Sequence, residues 1–262
     1  MLKVENIYKT FNPNTINEKK ALNGVSLTLN DGDFVTVIGS NGAGKSTLLN
    51  AIAGIWPIDD GKIMIDEHDI TKLKDFQRAK YIGRVFQDPM TGTAATMWIE
   101  ENMALAKRRG KKRGLKIGIE DEERQEYREL LKQLDLGLEN RLTTKVGLLS
   151  GGQRQALTLL MATMQKPRLL LLDEHTAALD PKTANKVLEI TDKLIKENNL
   201  TTFMVTHNMK DALKYGNKII MMCDGKIIFE AEGKEKEKLT VQDLLNKFDT
   251  AGGVVSDSMI LG

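Results

Sequence analysis

Cysteine is almost missing from this sequence: Cys223 stands alone among 262 residues, so no internal disulfide framework can form. With only three histidines there is no Cys/His cluster of zinc-site spacing either. That usage fits a reducing compartment. Long hydrophobic runs are also lacking. The longest, Ile219 to Cys223, falls far short of the roughly 20 residues a membrane-spanning helix needs. The start, MLKVENIYKT, has no apolar core of the signal-peptide kind, and a protein retained inside the cell is expected. An excess of either charge is absent as well. Thirty-eight Lys+Arg against 36 Asp+Glu leave a net charge of +2, too balanced to draw nucleic acid or a membrane surface by bulk electrostatics, and no nucleic-acid partner is expected. What remains, 41% hydrophobic and 28% charged, suits one globular unit with room for a small insertion. A chain of this length buries roughly 75% of its unfolded surface, enough for a sizeable core.

Short β-type runs alternate with segments of helical period, the pattern of an α/β sheet layered with helices. Leu2 to Ile7 and Val25 to Leu29 alternate apolar and polar residues and predict half-exposed antiparallel strands, punctuated by Gly24 and the Asp31-Gly32 turn. Phe34 to Ile38, Leu169 to Leu172 and Phe203 to Val205 are denser apolar runs and predict central strands covered on both faces. Asp180-Pro181 opens a helix with Val187, Leu188, Leu194 and Ile195 on one face, completing a strand, helix, strand crossover. Ile219 to Met222, Asp224-Gly225 and Lys226 to Phe229 predict a hairpin, and Val241, Leu244, Leu245 and Phe248 a last amphipathic helix.

The middle differs. From about Asp88 to Leu149 the β signals give way to helical periodicity, with Tyr127, Leu130, Leu131 and Leu134 as one apolar stripe. The predicted organisation is therefore residues 1–87 as an antiparallel β subdomain plus the first part of the core, 88–149 as a helical insertion running into a helix to about 166, 167–249 as the second part of the core, and 250–262 as a loose tail. Lys107 to Lys116 holds seven basic residues and Glu120 to Glu129 six acidic ones. Without interleaved aromatics the basic run predicts a solvated, mobile face rather than a nucleic-acid patch, with contact to anionic lipid headgroups as the minor alternative.

Three segments carry chemistry. Gly39-Ser40-Asn41-Gly42-Ala43-Gly44-Lys45-Ser46-Thr47 follows a buried strand and opens a helix bearing Leu48, Leu49 and Ile52, the context a phosphate loop requires. Its glycines let successive N–H groups turn inward, Lys45 adds a full charge for β- and γ-phosphates, and Ser46 is placed to ligate Mg²⁺. Leu169 to Leu172 ends in Asp173-Glu174, two carboxylates at the edge where open α/β sheets bind ligands. Asp173 is predicted to hold the Mg²⁺ and Glu174 to orient or deprotonate a water. Leu149-Ser150-Gly151-Gly152-Gln153-Arg154-Gln155 sets a serine N-cap before a helix with Leu157, Leu160, Met161 and Met164 on one face, a second anion-binding helix start without a lysine of its own.

With these motifs in this order, essentially the whole chain resembles the ATP-binding cassette (ABC) ATPases, whose signature is LSGGQ. The resemblance implies an α/β P-loop NTPase of ABC type: a RecA-like mixed sheet core, an antiparallel β subdomain and an inserted helical subdomain. It implies ATP and Mg²⁺ as ligands and ATP hydrolysis as the activity. It further implies a homodimer in which Ser150, Gly151, Gly152 and Gln153 reach the ATP held by the partner's Gly39 to Thr47 loop, with Asp180 of Ala178-Leu179-Asp180 crossing the seam. Gln87 in Val85-Phe86-Gln87-Asp88 matches the family's Mg²⁺- and water-contacting glutamine, and His207 in Val205-Thr206-His207-Asn208 its switch histidine. Phe11 lies where the family stacks an aromatic on adenine, with Tyr8 as the competing candidate. His175 replaces the proline that most members carry after the glutamate, and a surface or seam position is expected for it.

Size, the single cysteine and the lack of long heptads do not match the ribosomal, DNA-repair or chromosome-organising relatives. A separate cassette subunit docked on a transmembrane permease is expected, peripheral on the inner face of the cell membrane, with Gln87 to Glu101 as the rim of the docking groove. Leu171 to Lys182 and Thr206 to Met209 look like bacterial importer cassettes paired with a solute-binding protein and a permease akin to branched-chain amino-acid permeases, some of which handle aromatic amino acids. An exporter cassette, or a soluble assembly ATPase such as that of iron–sulfur cluster scaffolds, is the alternative.

Overall fold

A computed structural model describes residues 1–111 and 118–250. Two sheets organise the chain. The first holds β2 (Lys19–Leu29), β1 (Leu2–Phe11), β4 (Asp60–Ile65) and β5 (His68–Asp69) in that order, and the pairings within it are antiparallel. Leu2, Val4, Ile7, Leu27 and Leu29 point inward from the first two strands, as their alternation dictates. Both strands run further than the alternation suggests. Asn6 takes φ 47° and the register shifts beside it, so the inward set changes phase along β1 and the period-two pattern stops while pairing continues to Phe11 opposite Lys19.

The second sheet runs β10 (Lys226–Glu232), β9 (Lys218–Cys223), β3 (Phe34–Gly39), β8 (Thr202–Val205), β7 (Leu169–Asp173) and β6 (Ile82–Val85). Every pairing from β9 to β6 is parallel, and β10 closes one edge as the antiparallel arm of a hairpin. The central strands are buried on both faces, which is why they read as dense apolar runs. Phosphate-loop helix α1 (Lys45–Ala53) buries Leu48, Leu49 and Ile52 between the two sheets. Arg78, in the short α2 (Asp75–Arg78), is 2% exposed and donates to the carbonyls of Ala51 and Ile52, satisfying the end of α1.

Between β6 and β7 the described residues include three α-helices: α3 (Ile99–Lys107), α4 (Asp121–Lys132) and α5 (Gly151–Thr163). Tyr127, Leu131 and Leu134 are fully buried there and join the large core under α5 and α6 (Pro181–Asn198). The basic run does not begin as a free solvated face. Arg108 pairs with Glu123 at 2.8 Å and Lys107 with Glu126 and Glu123, so α4 neutralises the end of α3; residues 112–117 lie outside the described residues. A third core sits under α7 (Met209–Lys214) and α9 (Val241–Thr250), with α8 (Gly233–Glu237) between β10 and α9. The expected tail falls, beyond Thr250, outside the described residues. Among the described residues no helix is long and apolar enough to cross a membrane. The mixed six-stranded sheet, the antiparallel sheet and the helical insertion between β6 and β7 are the parts that the resemblance implies.

Candidate active site

Parallel strands β3, β8, β7 and β6 are successive neighbours, so their C-terminal ends bring four motifs to one edge: the phosphate loop, His207, Asp173-Glu174 and Gln87. The loop leaves the sheet at Gly39, where a Cβ would lie 2.5 Å from the Met222 carbonyl oxygen. It turns again at Gly44, whose φ of 101° and close approach to the Ala21 carbonyl admit only glycine. No side chain caps α1, so its first N–H groups stay available to an anion. Lys45, 5% exposed, donates its ammonium to the carbonyls of Gly39 at 2.7 Å and Ser40 at 3.2 Å. Burial pulls its pKa down, while Glu174 and Asp173 oppose that shift. The cavity here, about 380 Å³, is lined by Asn41, Gly42, Ala43, Gly44, Lys45, Ser46 and Thr47, together with Phe11, Lys19 and Glu174.

Glu174 follows β7 with φ 45°, a left-handed conformation that costs a non-glycine residue energy and is held by its N–H bonding to the Val205 carbonyl at 3.0 Å. Its carboxylate faces His207, Nδ1 to Oε2 3.7 Å. His207 and Lys45 hold the Glu174 carboxyl below the usual range, so it is ionised and able to accept a proton, and Glu174 in turn raises the His207 imidazole. Burial pushes Asp173 the other way, against the opposing charge of Arg84 3.0 Å away. Two neighbouring carboxylates thus sit in different surroundings, the arrangement that separates a ligand from a base.

At the signature, Ser150 Oγ accepts from the Gln153 N–H at 3.3 Å, and the Gln153 side chain reaches back to the Ser150 N–H at 3.2 Å, a complete capping box. Gly152 packs against Thr183 in the first turn of α6, where a Cβ would overlap the Thr183 methyl. Asp180 caps α6 by accepting from the Thr183 N–H at 3.1 Å. Signature and Asp180 therefore form one exposed corner, Ser150, Gly151 and Asp180 all facing outward. Among the described residues, none of this corner lines the cavity over the phosphate loop of the same chain.

The aromatic candidates separate cleanly. Phe11 lines the phosphate-loop cavity with its ring edge-on to Trp56, centroids 5.0 Å apart. Tyr8 points to a different groove beside β10, its hydroxyl donating to Asn6 Oδ1 at 3.3 Å. Gln87 is exposed just beyond β6 and is not among the residues lining the cavity. His175 requires a correction: it is not at a surface or seam but 2% exposed, its Nε2 3.0 Å from Thr191 Oγ1. The Thr191 hydroxyl donates to the Val187 carbonyl, so it accepts from the imidazole, and burial pushes the His175 pKa down to about 4. The chain after Glu174 folds back under α6, which a reading by position alone does not reveal. Sequence reasoning also missed Lys19, set opposite Phe11 in the β1–β2 register, and Arg84. For Arg84 the sequence held no signal, because the four-residue strand that carries it shows no periodicity.

Comparison with known proteins bears on the family and the fold. The family model described as ABC transporter matches residues 22–177. Over 96% of its length the chain is 46% identical to the whole of a tyrosine transport ATP-binding protein of Clostridioides difficile (strain R20291). It is 34% identical to an energy-coupling factor transporter ATP-binding protein, EcfA2, of Clostridium acetobutylicum, covering 95% of this chain and 82% of that one. Among solved structures, the dimeric post-hydrolysis state of the ATP-binding cassette MJ0796 bound to ADP and Pi matches with TM-score 0.75 and 33% identity, over 88% of this chain and 98% of that one. The ADP conformation of MJ1267, a cassette of an ABC transporter, matches with TM-score 0.77 and 30% identity over 95% and 98%. The chain belongs to the ABC transporter family as an ATP-binding subunit, a cassette that hydrolyses ATP.

Proposed function

We propose that this cassette powers uptake of an amino acid, of the aromatic class, through a bacterial permease served by an extracytoplasmic solute-binding protein. The observation that carries this reading is the 46% identity, end to end, with a cassette named for tyrosine transport; cassettes named for other cargoes match at 30 to 35%. The chain itself never touches the cargo, so its residues account for the motor alone.

In that motor, Phe11 stacks on adenine, and Gly39 to Thr47 hold the phosphates with Lys45 on the β- and γ-groups. The hydroxyl of Ser46, the amide oxygen of Gln87 and the carboxylate of Asp173 are hard oxygen donors, the chemistry that suits Mg²⁺, and would hold it. When bound, Mg²⁺ neutralises charge on the phosphates. Glu174, held ionised by His207 and Lys45, orients the attacking water and accepts its proton. His207 stays beside Glu174 as the switch. The signature corner of Ser150, Gly151, Gly152 and Gln153, with Asp180, faces away from its own cavity and completes the site of a second copy, so a homodimer encloses two ATP molecules. The similarity to MJ0796, a dimer in its post-hydrolysis state with ADP and Pi, supports this arrangement. The permease docks on the rim Gln87 to Glu101, where Met90 and Trp98 are exposed, and holds the cassette on the inner face of the membrane.

Purification from native membranes and reconstitution with the co-purifying permease and binding protein tests the reading. ATP-driven uptake of tyrosine or another aromatic amino acid into vesicles is expected. ATP-dependent efflux, or a co-purifying cluster-assembly scaffold in place of a permease, would overturn it.

A further inference from the structure

Arg84 is the one unusual residue of β6, a guanidinium between buried Gly83 and Val85. Its Nη2 donates to Asp173 Oδ2 at 3.0 Å, and the two side chains are only 13% and 17% exposed. Such a pair persists because each charge would otherwise be stranded away from water. The guanidinium carbon lies over the ring of Phe86, 4.5 Å from its centroid. The Phe86 carbonyl accepts from Gln155 Nε2 of the signature helix at 2.9 Å, and Gln87 follows directly. One side chain thus touches the end of β7, the segment leading to the exposed glutamine and, through that segment, α5.

We propose that Arg84 is the resident counter-cation of the magnesium carboxylate, a positioning residue that sets the metal affinity of the site. Without metal it neutralises Asp173 and fixes its rotamer. With Mg²⁺ and nucleotide bound, Asp173 would serve the metal beside the Arg84 guanidinium, and that neighbouring positive charge would weaken metal binding relative to an uncharged side chain. Any easing of the Arg84–Asp173 contact on metal binding would reach Phe86 through the guanidinium that lies over its ring. The inference rests on the reading of Asp173 as a magnesium ligand.

The test is titration of Mn²⁺ into the ADP complex of the full chain, with free Mn²⁺ followed by electron paramagnetic resonance. Arg84→Gln keeps a donor for Asp173 but removes the charge, and its half-saturating Mn²⁺ is expected to fall about five-fold or more. Arg84→Lys keeps the charge and is expected within about two-fold of wild type. A purely structural role would move both variants together, so equal shifts, or no shift in Arg84→Gln, overturn the proposal. Should either variant fail to fold, the unmutated chain decides: the Arg84 Nε–H resonance shifts when Mg²⁺ joins the ADP complex, and a resonance that stays put counts against it. Asp173→Asn distinguishes the two layers. If it leaves Mn²⁺ binding unchanged, the reading of Asp173 fails and the proposal with it; if it weakens binding while Arg84 shows no charge dependence, the Arg84 proposal alone fails.

Discussion

A single left-handed residue, Glu174 at φ 45°, marks where strand geometry yields to chemistry. Around it, Lys45 is the group proposed to hold the nucleotide phosphates. Its ammonium, resting on the Gly39 and Ser40 carbonyls, is positioned to exchange them for phosphate oxygens. A charge-assisted hydrogen bond is worth about 1.5–3 kcal/mol, so Lys45→Ala is expected to weaken ATP binding about ten-fold or more, read by equilibrium binding; unchanged affinity would contradict the cradle. His175 makes a separate prediction. Buried and neutral in the fold, it protonates only near pH 4, whereas in the unfolded chain it protonates near 6.5. Across that window the unfolded state binds more protons, so stability is present above 6.5 and lost as pH falls, by roughly 2 kcal/mol between pH 7.5 and 5. His175→Gln should remove that part of the pH dependence in urea unfolding. A variant as acid-sensitive as wild type would show that His175 is not the source.

At the scale of elements, the junction of α5 and α6 is the tightest contact of the site, because Gly152 lets the signature helix approach Thr183. Gly152→Ala overpacks that contact, and a destabilisation of about 1–3 kcal/mol is expected. Threonine in a helix has little freedom to turn its methyl away, so Thr183→Ser, which deletes it, should restore most of the loss. Denaturant unfolding of the two single variants and the double variant measures the coupling; additive effects would place the strain elsewhere. The same junction shows how far sequence reasoning reaches. The phosphate loop, the Asp173-Glu174 pair, the Ser150 cap and the Asp180-Pro181 helix start are legible because each rests on local chemistry: a backbone shape, a charge at a strand end, a cap. Strand β6 was not legible, since four residues with Arg84 among them carry no periodicity, and its pairing with β7 is set by distant residues. The depth of His175 was hidden for the same reason, being a property of α6 folding over it.

For the molecule as a whole, near-neutrality conceals paired blocks. Lys107 and Arg108 are answered by Glu123 and Glu126 across α3 and α4, a local neutralisation that the average charge cannot show. The candidate site is built at one sheet edge, with the signature corner turned outward. In the proposed cycle ATP joins two such chains and Glu174 drives the hydrolysis that parts them. Glu174→Gln keeps the shape and hydrogen-bonding reach of the side chain but cannot take a proton. Size-exclusion chromatography of that variant with ATP, with phosphate release measured on the same sample, tests the claim directly. The prediction is a stable dimer with ATP retained and hydrolysis down about 100-fold or more, within the range general-base catalysis contributes. A monomer turning ATP over at the wild-type rate would contradict it.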